Sequence, residues 1–231
     1  METASFSVLE LFKLGGVIMW PLLLFSIAVI AIAIERTVFL IYNKLETQSI
    51  EVKTSEFIKN SDYSGAFDYL SGLNKRFVFG RIILTLIEQV KPDKEFSEPR
   101  AERAVQAEAS SCIGSLENGF NFLTALGSLS PLTGFLGTVT GMIGAFRSIA
   151  EATEVNAQIV ANGIYEALIT TVFGLVIAII AMVAHSIFSH IVDRFASRVE
   201  GSCSNLISQI AETYKNESED SQEINEHKKK K

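Results

Sequence analysis

The chain has 231 residues, 48% of them hydrophobic, with a formal net charge of -6. An apolar share of that size is ordinary, but here it is concentrated: no Asp, Glu, Lys or Arg occurs from Leu14 to Ile34, from Asn118 to Phe146 or from Ala167 to Val192. No stretch interleaves basic clusters with aromatics, so nucleic acid is not an expected partner, and the composition points to a lipid environment instead.

Each charge-free run reaches the roughly 20 residues that cross a bilayer. The predicted order is a periplasmic N-terminus (1–14), a first transmembrane helix (15–41), a cytoplasmic helical domain (42–117), a second transmembrane helix (118–147), a short periplasmic loop (148–156), a third transmembrane helix (157–192), a cytoplasmic helix extension (193–214) and a disordered tail (215–231). The first run is too long for a secretory h-region and continues through Glu35-Arg36 into another apolar stretch, so it is expected to stay as an anchor. Lys and Arg set the orientation. The segment 35–117 carries 11 and the segment from Asp193 onward seven, against one before the first span and one between the second and third. The positive-inside rule therefore puts the N-terminus in the periplasm and the long loop and C-terminus in the cytoplasm of a multi-pass inner-membrane protein.

Within the cytoplasmic domain, Phe79, Ile82, Ile83, Leu86, Ile87 and Val90 recur three and four apart and predict an amphipathic helix. Lys91-Pro92-Asp93 breaks it. Ser97 as cap and Pro99 in the first turn predict a new helix, whose alanine-rich start (Ala101 to Ser111) should carry it straight into the second span. Phe188, Ile191, Val192, Phe195 and Val199 likewise extend the third span beyond the bilayer. After Lys215 the composition turns polar without periodicity, the mark of disorder. The fold class is thus an all-α membrane protein of three spans, the second and third extended into the cytoplasm as long helices.

No nucleophile-and-base set, phosphate-cradling loop or metal-ligand cluster is visible, so neither an enzyme nor a cofactor is expected. Cys112 and Cys203 lie in predicted cytoplasmic parts and should be free thiols. The residue that stands out is Glu166, the one acidic residue within the third apolar helix as it would run from near Val155. An ionised acid at mid-bilayer costs about 2.5–3.5 kcal/mol on insertion scales, so a carboxyl group there marks a place where protons can bind and leave. The same position also fits an acid at the outer interface or one bonded to a neighbouring helix. On a helical wheel Asn162, Gly163, Glu166, Thr170, Phe173, Gly174 and Ile177 share one face, which should look inward. In the second span, Gly134, Gly137, Gly141 and Gly144 fall within about 80° of one another, a packing face with Thr138 beside it, close enough to meet the acid.

Two blocks, Ser130-Pro131-Leu132-Thr133-Gly134-Phe135-Leu136-Gly137-Thr138-Val139-Thr140-Gly141-Met142 and Gly163-Ile164-Tyr165-Glu166-Ala167-Leu168-Ile169-Thr170-Thr171-Val172-Phe173-Gly174-Leu175, closely resemble the signature of the ExbB/TolQ family, also called the MotA/TolQ/ExbB proton channel family. Glu35-Arg36 and Ala101 to Ala104 fit it as well. The resemblance implies a homo-oligomer, a pentamer, around a dimer of single-span ExbD/TolR-like partners, acting on a TonB/TolA-like periplasm-spanning protein. It also implies that Glu166 is the family's membrane glutamate and that Thr138 and Thr171, with Thr170 alongside, line the ion pathway. Many members carry proline in the third span where this chain has Ile180, so a kink there is weaker or absent. The rival readings are a non-conducting membrane scaffold and a flagellar-type stator subunit.

Overall fold

The computed structural model describes residues 12–74, 76–90, 96–151 and 157–229. The elements are α1 (Met19–Tyr42), α2 (Gln48–Lys59), α3 (Tyr63–Gly72), α4 (Val78–Gln89), α5 (Glu98–Glu117), α6 (Phe120–Glu151) and α7 (Ala157–Lys229). Among the described residues the sole β-type pairing is an isolated bridge between Lys44 and Phe77. Three stretches, Met19–Tyr42, Glu98–Glu151 and Ala161–Asn216, contain windows long and apolar enough to cross a membrane. The protein is an all-α, multi-pass membrane protein.

The chain forms two compact units, one comprising 1–37 and 119–189 and the other 38–118 and 190–231. In the first, α1 starts at Met19, four residues later than the charge pattern predicts, because Gly16 takes φ +66° just before it. Pro21 sits in the first turn, where its missing N–H is not needed. Met19, Leu22 and Val29 are buried, whereas Trp20, Leu24, Ile27, Ile30 and Ile34 are exposed, as befits a helix whose surroundings are hydrocarbon. α6 contains Pro131, and α7 runs unbroken through Ile180.

The second unit is built as water-soluble proteins are. Val78, Phe79, Ile82, Ile83, Leu86 and Ile87 form the buried stripe of α4, Ala101, Val105, Cys112 and Leu116 that of α5. Phe195, Val199, Leu206 and Ile210 add a buried stripe on the distal part of α7. Polar pins supplement this core: Ser202 Oγ donates to Glu51 at 2.5 Å, Ser55 Oγ to Gln209 at 2.7 Å, and Arg81 pairs with Glu108 at 2.9 Å. Asp62 caps α3 by accepting the Gly65 N–H at 2.9 Å. Both cysteines are free and buried.

The structure differs from expectation in three details. The second long helix is not straight-through: α5 ends at Glu117 and α6 begins at Phe120, because Gly119 adopts φ +88°, a left-handed conformation that interrupts a helix. A side chain at Gly119 would also approach Arg36, whose Nε lies 3.4 Å from the Cβ position. Ser97 occupies the N-cap of α5, yet its side chain makes no capping bond; its carbonyl instead accepts the Arg100 and Ala101 N–H groups at 3.0 Å. Finally, α7 continues to Lys229 through the segment whose composition suggests disorder. No Gly or Pro follows Gly201, Glu, Gln and Lys are good helix formers, and elongating an existing helix needs no new nucleus. The expected break at Lys91-Pro92-Asp93 and most of the loop 148–156 lie outside the described residues; α6 is helical as far as Glu151.

Candidate ion pathway

The contact between α6 and α7 is built from missing side chains. A methyl group placed on Gly134 would come within 2.8 Å of the Thr170 carbonyl and 3.1 Å of the Thr171 Cα. One on Gly174 would come within 2.6 Å of the Ser130 carbonyl. At Gly137 the same group would run into the Thr170 side chain, and at Gly163 into Ala145. Gly141 is slightly looser, with Ala167 Cβ and the Gly163 carbonyl both at 3.2 Å. Backbones therefore touch along a line where each helix lacks bulk, the geometry that lets dispersion and polar contacts join helices when lipid supplies no hydrophobic drive.

Gly144 departs from this line. Among the described residues nothing lies within 4 Å of a Cβ built on it, so the arc of about 80° that groups it with the others is wider than the contact between two helices. Gly127, which sequence reasoning passed over, extends the line instead: its Cβ position is 3.2 Å from Met182 Cγ and 3.7 Å from Ala181 Cβ.

The threonines are drawn into this contact. Thr170, buried to 1% exposure, donates to the Ala167 carbonyl at 2.8 Å and leans on the Gly134 carbonyl at 3.3 Å. Thr171 Oγ1 donates to the same Gly134 carbonyl at 3.2 Å. Thr138 satisfies its hydroxyl within its own helix, on Phe135 O at 2.6 Å. Among the described residues no hydrogen bond joins Thr138 to Glu166, the contact that the wheel suggests. Glu166 is half-buried, and its carboxylate lies against Gly16, where a Cβ would collide with Oε1 and sit 2.9 Å from Cδ. Among the described residues it makes no hydrogen bond or ion pair. Three of the residues that shape this region, Gly15, Gly16 and Gly127, carry no helical periodicity that would have flagged them; the Gly15-Gly16 doublet ahead of α1 was the available signal.

Residues 74–201 match the description of the MotA/TolQ/ExbB proton channel family. This chain belongs to that family. The match takes in α6, Glu166 and all three threonines, whereas α1 and Gly16 precede it. Similar proteins agree. The Tol-Pal system protein TolQ of Haemophilus influenzae is 34% identical over 194 residues, 80% of this chain and 85% of that protein. The putative biopolymer transport protein ExbB-like 1 of Synechocystis is 31% identical over 209 residues, covering 82% and 75%. The biopolymer transport protein ExbB of Salmonella typhimurium is 40% identical over a shorter 97 residues, 42% of this chain and 38% of that protein.

Proposed function

We propose that this family member is the proton-channel subunit of an inner-membrane motor, coupling proton-motive force to movement of an ExbD/TolR-like single-span partner in energised outer-membrane transport or envelope maintenance. The observation that carries this reading is the state of Glu166: a carboxylate in an apolar helix with no hydrogen bond or ion pair among the described residues. An acid that must exchange a proton has to keep its oxygens available.

The chain cannot perform the cycle alone. Thr170 and Thr171 are committed to the helix contact and Thr138 to its own helix, so no side-chain relay leads away from Glu166 among the described residues. The reading therefore requires further copies of this chain, a pentamer by family resemblance, together with a partner dimer that supplies a second membrane acid and connects to a TonB/TolA-like protein. Each elementary charge crossing the membrane is worth about 2.3 kcal/mol per 100 mV, so several transfers can bias a mechanical step. The charge distribution supports a periplasmic N-terminus and cytoplasmic C-terminus. The names of the relatives concern transport and the Tol-Pal system, in keeping with a role outside enzymology.

The test is Glu166→Gln, which keeps shape and hydrogen-bonding capacity but cannot hold a charge. Partner-dependent activity in cells should be lost while the complex with its partner still co-purifies. Retained activity would remove Glu166 from the mechanism and favour a scaffold; loss of assembly would recast it as structural.

A further inference from the structure

Gly15 and Gly16 lie four and three residues ahead of Met19, the first residue of α1, and both approach α7. A Cβ at Gly15 would meet Met19, with Sδ at 2.7 Å, and would lie 3.4 Å from Ile169 Cγ2. A Cβ at Gly16 would collide with Glu166 Oε1 and lie 2.9 Å from Cδ and 3.6 Å from Cγ. Residues 166 and 169 are one turn apart on the same side of α7, so the glycine pair forms a single contact with that side. Its position is fixed by the start of α1: the Gly16 carbonyl accepts the Met19 N–H at 3.3 Å, and Met19 is buried to 1% exposure.

We propose that Gly16 is a positioning residue for Glu166, providing a seat whose depth comes from the absent side chain. The inference rests on the proton-handling role assigned to Glu166 above. A seat lined by N–H donors would occupy the carboxylate oxygens with hydrogen bonds. Gly16 presents Cα hydrogens in the place a side chain would fill, and such contacts are worth only about 0.5–1 kcal/mol each. The carboxylate is thereby confined in position with its oxygens left free for a proton or for a donor brought by another chain.

Another L-residue at position 16 would have two separate effects, strain in the backbone and displacement of the flexible end of the Glu166 side chain. The φ of +66° belongs to the left-handed region, and a Cβ occupies the space of the carboxylate. Asn separates the two, since it tolerates that backbone region far better than Ala while carrying the same Cβ. If the glycine served only to turn the chain into α1, Asn would substitute well.

The experiment uses the full-length protein with its partner and compares Gly16→Ala and Gly16→Asn for activity in cells. Both should lose about tenfold or more, the scale of effect that a displacement of about 1 Å of a reacting group can exceed. Near-normal activity of Gly16→Asn would overturn the seat and leave a turn. A second measurement is independent of activity and of whether Glu166 handles protons: a thermal-stability cycle in detergent combining Gly16→Ala with Glu166→Ala. Removing the Glu166 side chain should relieve the steric part of the damage done by Gly16→Ala while the backbone strain remains, giving a measurably non-additive pair. Additive effects would show that the two residues do not meet and would overturn the proposal even if Glu166→Gln proves inactive. Non-additivity alongside an active Glu166→Gln would keep the contact but refute its positioning role.

Discussion

The two units of this chain solve the same packing problem with opposite materials. In the unit 38–118 and 190–231, large side chains such as Phe79, Ile82, Leu86, Phe195 and Leu206 are removed almost completely from solvent. In the unit 1–37 and 119–189, Met19, Leu22 and Leu123 are buried too, but α6 and α7 meet where side chains are missing, at Gly134, Gly137, Gly141, Gly163 and Gly174, while Leu132, Phe135, Leu136 and Ile143 point outward. The difference follows from the solvent. In water, moving apolar area inside is the dominant favourable term. In hydrocarbon that term vanishes between helices, and only close approach distinguishes a neighbouring helix from lipid.

The sharpest way to break this contrast is to add bulk to the membrane unit. Gly174→Leu would drive a side chain into the Ser130 carbonyl, a backbone atom that cannot swing aside, so the protein should not accumulate as a monodisperse species in mild detergent. Gly144→Leu is the matched control and should leave the fold of the single chain intact, since its Cβ position is open among the described residues. Size-exclusion profiles and thermal stability measure both, and equal tolerance of the two substitutions would refute a glycine-based contact.

Removing bulk from the other unit should hurt less but measurably. Phe79 is fully buried, and Phe79→Ala should destabilise that unit by about 3–5 kcal/mol, from lost transfer energy and the cavity left behind. A loss well under 1 kcal/mol in denaturant or thermal melts would mean that this core is not packed like that of a water-soluble domain.

The smallest effect concerns the two thiols of this unit. Burial pushes Cys112 up to about 11 against the opposing influence of Arg81, and it pushes Cys203 up to about 12, with the Glu51 carboxylate adding to the shift. The neutral thiol is the folded form, so the contribution to stability is complete below the ordinary thiol value near 9. It fades as pH rises from there toward 11 and 12, because the unfolded chain ionises first. Melting temperatures followed from pH 8 to pH 11 should therefore fall more steeply in the native protein than in a Cys112→Ala, Cys203→Ala variant. Parallel slopes would show that the thiols are not desolvated.

What was legible in the sequence follows the same divide. The three spans could be read because excluding charge over 20 or more residues is a requirement of the bilayer itself. The buried stripe of α4 could be read because large apolar residues at helical spacing mark a water-facing element. Glycine, in contrast, announces that something approaches closely without saying what. Angle alone groups Gly144 with its neighbours, and no helical periodicity marks Gly16, although its contact, Glu166, stands out. The interruption at Asn118-Gly119 was masked by the alanine-rich helix before it, where propensity outweighed a turn signal of two residues. The helical course of α7 beyond Tyr214 shows the reverse: composition judged the segment by itself, while the helix it extends was already formed.

Pro131 sits in the interior of α6 and brings no N–H, so the carbonyl of Gly127 cannot receive the usual donation from one turn ahead. That carbonyl belongs to a residue pressed against Ala181 and Met182 in an apolar setting. It is consequently a vibrational landmark: an isotope-edited amide band from Gly127 should stand at higher frequency than those of its helical neighbours, giving spectroscopy a single-site view of the α6 and α7 contact without a label that adds bulk.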